Sequence, residues 1–538
     1  MKPLNLDELT VEQKIGQLFV VRNYVDDEDR AFVYEMLEKR AVGGVQVRVN
    51  EDCAAENARI REHADYPVLI CADMEKGFPI SPYQIPSMLS LGITGDEELA
   101  YQVGAVTAIE AKRHGFNTVW GPVVDMKNGN AMCKIPRILG SDPELVSRMG
   151  TAILRGYTDN GMIASAKHWP VPLDEIKDGH AFKSFSQMTE QDILDVVIKP
   201  YLHAMKEGVL PAVMSGHYFY PRIDDTYPAT LSEKLIGILR SHGFDGLIFT
   251  DSFAMVGILH RFGTAACYGL AIKAGNDMVL PNYRDSFKTS YQLMLQAYRD
   301  GIFTEERLNE AVRRVITAQN ATMKEATATE VSEYQKDCIR RVAQDGICLH
   351  KNGDVATALD KDSKKLFVIM VENVYRNEDG FVNEISDGAG LEGSLPRIRQ
   401  SILSRFPGSD IKVICQYPSI PQTEAVCRAS TKADEVIYMT FCSSGAYRIG
   451  ENLTENVVNL MDSMSEKISA VIHLGNPYAM ERIPRVPRII MSIGSNSDCI
   501  DNSFTLPASN SDSIDNTFAV LAGEYEPKGK IPLELKLK

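Results

Sequence analysis

The chain has 538 residues, 44% of them hydrophobic and 24% charged, with a net charge of −15. That length exceeds what one ordinary core supports, so two or more domains are expected. The acidic balance argues against nucleic acid or an anionic membrane as the main partner, and the ten cysteines are scattered without C-x-x-C or metal-like spacing, which fits reduced thiols better than a disulfide framework.

The opening "MKPLNLDELTVEQKIGQLFVV" is charged and helix-forming, and its apolar stretch is too short for a signal peptide or a membrane span. A cytoplasmic protein is expected. Short apolar runs then recur at 15–21, 42–49, 67–73, 118–125, 161–168, 211–217, 246–252 and 277–282, each reading as a buried strand. Amphipathic stretches such as "EELAYQVGAVTAIEAKRHG" and "LSEKLIGILRSHG" lie between most of them. Alternating strands and helices predict a parallel sheet, and eight such units fit a (β/α)8 TIM-type barrel. A doubly wound open sheet is the alternative, but the first turn lacks G-x-G-x-x-G.

Residues from about 305 to 350 read as helical. Beyond them, "KKLFVIMV", "IKVICQY", "EVIYMTF", "KISAVIHLG" and "PRIIMSIG" read as a second set of buried strands. The expected organisation is a barrel catalytic domain over 1–328, a helical linker over 329–362 and a C-terminal α/β sandwich domain over 363–538.

Polar residues gather where the barrel strands end: Asp73, Asp125, Lys167, His168, His217 and Asp251. Any one of them is read as easily as a helix cap or turn residue. Six at corresponding ends match the face on which barrel enzymes carry their chemistry. Asp251, in "LIFTDSFAM", is a carboxylate with no basic neighbour in sequence. It suits attack on an electrophilic carbon or stabilisation of a developing cation; capping of the next helix is the alternative.

The stretch "KHWPVPLDEIKDGH", Lys167 to His180, is dense in titratable groups, with prolines that deny it a long helix. Asp178 stands two residues before His180. A carboxylate that accepts from one ring nitrogen raises the basicity of the other, so the pair is a candidate proton shuttle; a solvated loop is the alternative. No H-E-x-x-H or G-x-S-x-G occurs. A catalytic metal, a serine nucleophile and a cofactor are therefore not expected.

Taken together, "LTVEQKIGQLFVV", "CADMEKG", "KIPRILGSDPELV", the run from "MSGHYFYPRIDD" to "GLIFTDSFAM", and "GEYEPKGKIPLEL" resemble glycoside hydrolase family 3, most closely its β-N-acetylglucosaminidase branch in two-domain form. The branch carries K-H-F-P-G-H-G, four residues, then D-S-H; the stretch from Lys167 to His180 has the same length. The resemblance implies a retaining exo-glycosidase for terminal β-linked N-acetylglucosamine. Asp251 would be the nucleophile, His180 the acid/base and Asp178 its orienting partner. Asp73, Arg137, Lys167 and His168 would grip the sugar, with His217 nearby. Where the branch has G-H-G this chain has Val171-Pro172-Leu173, and Lys76 and Phe78 replace the second glycine and the arginine of D-x-E-G-G-R. The implied partner is a small glycan or amino-sugar conjugate, with no nucleic acid and no membrane, and the chain is a monomer or homodimer. The alternatives are a β-glucosidase or phosphorylase, with Glu384 or Glu392 as possible acids, or a sugar-binding homologue without turnover.

Overall fold

The computed structural model describes residues 1–22, 26–127, 135–174, 180, 182–323, 328–371, 374–376, 382–384, 395–442, 453–493 and 508–538. Two compact units emerge. The first comprises Met1–Tyr83, Ala100–Lys127 and Asp142–Lys336. The second comprises Gln84–Leu99, residues 135–141 and the described part of Asp337–Lys538.

The first unit is an eight-stranded parallel barrel. Its strands are β1 (Val20–Arg22), β2 (Gly44–Gln46), β3 (Leu69–Asp73), β4 (Thr118–Trp120), β5 (Ile163–Trp169), β6 (Ala212–Ser215), β7 (Leu247–Ser252) and β8 (Met278–Leu280), paired in that order. Closure comes from a parallel bridge between Phe19 and Val279, where the Val279 amide donates to the Leu18 carbonyl at 2.8 Å. Inward residues from successive strands, among them Val20, Leu69, Trp120, Met214, Phe249 and Met278, fill the interior with apolar side chains, as a packed barrel requires.

The intervening helices start at side-chain caps. Thr10 and Gln13 form a capping box on α1 (Val11–Gln17). Asp142 caps α2 (Pro143–Asp159), whose proline occupies the first turn. Ser232 caps α3 (Glu233–Ser241). After β7 comes α4 (Val256–Ala274), which ends at Gly275 with φ of 112°, a left-handed stop that glycine adopts at little cost. The apolar run at 15–21 is split: its first residues finish α1 and only its end enters β1.

The second unit is a mixed six-stranded sheet. Its strands are β9 (Ile347–Lys351), β10 (Lys365–Val371), β11 (Asp410–Cys415), β12 (Glu435–Cys442), β13 (Ile468–Gly475) and β14 (Arg488–Ser492), in the order β9-β14-β13-β12-β10-β11. All neighbours are parallel except β9, which runs antiparallel to β14. The five sequence-predicted strands are all present. β9 differs from expectation: the helical reading ran to about 350, but the helix Glu333–Asp345 stops and the chain turns into an edge strand. Ser87 and Ser90 hydroxyls donate to the Ile493 carbonyl at 2.5 and 2.8 Å, and the Ser141 amide donates to Pro532 at 2.9 Å, fastening the two early segments to this unit. Among the described residues no helix is long and apolar enough to cross a membrane.

Candidate active site

Buried parallel strands deliver their last residues to the C-terminal mouth of the barrel, and the charged candidates meet there. β3 ends in Asp73, and β5 carries Lys167 and His168 near its end. The Lys167 ammonium donates to Asp73 Oδ1 at 2.5 Å and lies 2.7 Å from Glu75 Oε1. Its side chain is 2% exposed, so the two carboxylates offset the cost of burying the cation.

His168 is held from both ends of the residue. Asp125 Oδ1 accepts from its backbone amide at 2.6 Å, and Asp125 Oδ2 accepts from Nδ1 at 2.9 Å. Nε2 is thereby turned to Asp251, 3.9 Å from Oδ2. His217 follows β6. Its Nε2 donates to the Ser252 carbonyl at 3.0 Å, and its Nδ1 lies 2.8 Å from the Thr230 hydroxyl. The residue before it must be glycine: a Cβ on Gly216 would stand 2.4 Å from the Tyr218 ring. His180 is tied to the next strand–helix unit, its carbonyl accepting from the Val256 amide at 3.0 Å.

Asp251 lies on β7, its side chain 21% exposed. Burial pushes its pKa up, but His168, His217 and His180 together, with the Ser252 amide at 2.7 Å, hold it below the ordinary carboxylate range. Burial in turn holds His217 below the usual imidazole range, against the pull of Asp251. The result is one carboxylate kept ionised by three nearby imidazoles, His168 among them at 3.9 Å, beside a lysine bridging two more carboxylates. Such a site can present a nucleophile or cation-stabilising group to a polar substrate while a neighbouring imidazole moves a proton. Among the described residues no group of three metal-ligating side chains is assembled.

Asp73, Lys167, His168, His180, His217 and Asp251 all belong to the first unit. Arg137 ends a short turn, Ile135–Arg137, in the second unit. Asp178 and Glu392 lie outside the described residues, as does the side chain of Glu384. The replaced loop residues have a structural use. Val171 and Pro172 are buried, and Asp174 accepts from the Ser186 hydroxyl at 2.6 Å and the Gln187 amide at 2.9 Å, which pins the start of the loop. Phe78 is buried too, against His114 and Phe116. Two participants carry no role that the sequence alone assigns: Asp125 reads only as a strand-end residue, and Glu75 only as part of "CADMEKG".

A (β/α)8 barrel with a titratable cluster on the C-terminal face of its strands defines an enzyme scaffold. Residues 10–318 match the glycosyl hydrolase family 3 N-terminal domain, and the chain belongs to that family; it is a glycoside hydrolase. It is similar to a β-N-acetylglucosaminidase/β-glucosidase of Cellulomonas fimi, 26% identical over 91% of this chain and 90% of that one. A β-hexosaminidase of Thiobacillus denitrificans is 34% identical over 40% of this chain and 62% of its own length. A solved family 3 β-N-acetylglucosaminidase from Paenibacillus sp. str. FPU-7 superimposes with a TM-score of 0.77 at 23% identity, covering 98% of this chain and all of that one (100%). The two-domain fold expected from the family resemblance is thus borne out.

Proposed function

We propose that the chain is a retaining exo-acting glycosidase that releases terminal β-linked N-acetylglucosamine. Asp251 attacks the anomeric carbon while His180 gives its proton to the glycosidic oxygen; the C–O bond to the leaving group breaks and an Asp251–sugar ester forms. Water then adds to the same carbon, His180 takes its proton, and the ester bond breaks to restore the carboxylate. Asp178 orients His180, while Asp73, Arg137, Lys167, His168 and His217 hold the sugar. The observation that carries this reading is the Asp251 carboxylate near the end of β7, 3.9 Å from the Asp125-anchored His168 ring, with His217 and His180 close enough to favour its ionised form. The names of the relatives from Cellulomonas fimi and Thiobacillus denitrificans support the sugar. The first of those names also covers β-glucosidase, so β-glucoside cleavage is kept as a second activity. No two of the eight described cysteines are joined in a disulfide, which favours a reducing compartment such as the cytoplasm.

The test is Asp251→Ala assayed on a chromogenic N-acetyl-β-glucosaminide and on the matching β-glucoside, with and without phosphate. Loss of a reacting group on the order of 10⁴-fold is expected. A 2-fluoro sugar should label the wild type on the peptide that contains Asp251. Undiminished turnover by the variant would end the assignment.

A further inference from the structure

We infer that the outer edge of β11 is where a second copy of this chain docks, pairing antiparallel across a two-fold axis at Val413. β11 ends the sheet of the second unit, and among the described residues no strand pairs with its outer side. The opposite edge is different: β9 is bridged on its outer side, at Cys348, by Gly529. One bond fixes the direction of the backbone groups. The Gln416 amide donates to the Val371 carbonyl of β10 at 3.1 Å, so alternate residues back along the strand turn N–H and C=O toward β10. Ile411, Val413 and Cys415 turn theirs outward. Such an open edge is a template for another strand.

The side chains along this edge are incompletely covered. Ile411, Val413 and Cys415 pack on the core of the sheet but stay half-buried, whereas their register partners on β10, Phe367, Ile369 and Val371, are buried. Over the same face lies α5 (Leu395–Arg405), whose Ile398 and Ile402 enter the core. Its Arg397 and Arg405 reach Asp515 and Glu524, on and just beyond α6 (Ala508–Leu521). Leu403 turns about 100° from Ile402, to the side away from those ion pairs, and is 46% exposed. Because α6 packs on β14, toward the other end of the sheet, Leu403 faces the open edge. The charges on β11 are Asp410 and Lys412, which pair at 2.8 Å and leave the edge neutral. In a chain of charge −15, two copies repel except where such a neutral patch meets its like. A two-fold axis at Val413 sets this residue opposite its own copy and Ile411 opposite Cys415, each pair exchanging both backbone hydrogen bonds. The apolar row thus meets itself in either direction, as an isologous contact requires, and the two Leu403 side chains come to the same face of the joined sheet.

Analytical ultracentrifugation of the full chain at micromolar concentration tests this. The wild type should sediment at twice the 59.7 kDa of one chain. Proline is tolerated on an edge strand where the N–H it removes points outward. Val413→Pro should therefore fold like the wild type by circular dichroism, yet weaken association by roughly a hundredfold or more. Leu403→Glu, at an exposed position, should weaken it too, and decides the matter if the proline variant misfolds. Val413→Cys should cross-link copy to copy on mild oxidation with diamide, since facing residues of such a pair lie about 5.5 Å apart at Cα, within disulfide range. Lys412→Cys, off the axis, should cross-link no more than the wild type. A monomeric wild type overturns the inference. So does a dimer that keeps its strength in a well-folded Val413→Pro or Leu403→Glu variant, or one that fails to cross-link through position 413.

Discussion

Asp125 grips His168 twice, through the backbone amide at 2.6 Å and through Nδ1 at 2.9 Å, and so fixes which nitrogen meets Asp251. The grip has consequences for Asp251, the proposed nucleophile, because His168 is the foremost of the three imidazoles that favour its ionised form against burial. Asp125→Asn keeps the shape but loses the charge and the enforced hydrogen-bond direction. The imidazole's field at Asp251 weakens, and the Asp251 pKa rises. The acid limb of kcat/KM should then move to higher pH. Activity near neutrality should fall by roughly tenfold or more, since losing a carboxylate that orients an imidazole costs up to ~10⁴-fold when that imidazole itself transfers the proton. A pH–rate profile with an unmoved acid limb would show that Asp125 serves the fold alone.

His180 is placed by its own carbonyl, which ties it to the first turn of α4. If it is the acid, its loss matters most where the leaving oxygen needs a proton. His180→Ala should cost 10²–10⁴-fold on an alkyl glycoside. It should cost far less on a nitrophenyl glycoside, whose phenolate departs unaided. Parallel losses on both substrates would assign His180 to binding instead.

Much of this site was legible because strand ends are marked twice in sequence, by the end of an apolar run and by the charge that follows. That logic picked out Asp73, Lys167, His168, His217 and Asp251, while His180 was singled out by the family resemblance, through the matching length from Lys167. It could not assign Asp125, because its partner lies 43 residues away and only the pairing of neighbouring strands brings them together. It also could not foresee β9, because nothing local distinguishes "ICLHK" from the end of a helix until β14 supplies an edge to pair with. Nor could it foresee that residues 84–99 would pack with the second unit, since that membership is decided by contacts such as Ser87 with Ile493, 406 residues apart in sequence.

The barrel depends on one buried carboxylate at the entry to β8. Asp277 is fully buried and receives Arg240 at 2.6 Å, Arg307 at 2.7 Å and Arg314 at 3.3 Å, while also accepting from the Ile248 amide at 2.9 Å. It thus ties β7, α3 and the helix Glu305–Ala321 to the last strand. Asp277→Ala takes the carboxylate from the half-buried Arg240, while Arg307 keeps Glu310 and Arg314 keeps Glu310 and Asp245; breaking a buried pair costs about 3–5 kcal/mol. Thermal unfolding should begin on the order of 10 °C lower. The surface pair of Arg30 with Asp27 is the control: Asp27→Ala should change stability by less than about 1 kcal/mol. Equal effects from the two variants would refute a central role for Asp277.

In the second unit, His473 makes stability depend on pH. The ring is fully buried on β13; its Nε2 donates to the Asn476 carbonyl at 2.8 Å, and its Nδ1 lies 2.9 Å from the Thr440 hydroxyl. Both nitrogens are satisfied by the neutral ring, and burial pushes the pKa down to about 4 from the ordinary 6.5. The unfolded chain takes up a proton near 6.5, whereas the folded chain resists until about 4. The stabilisation is therefore complete above the unfolded value, erodes as pH falls, and is gone once the folded ring protonates. The shift corresponds to about 3 kcal/mol across that window. His473→Asn removes the titration, so its unfolding midpoint should change less than that of the wild type between pH 7 and pH 5, even though it starts lower through the imperfect fit. Denaturant unfolding at the two pH values measures the difference. An identical pH slope for variant and wild type would mean that the ring at 473 carries none of the acid sensitivity.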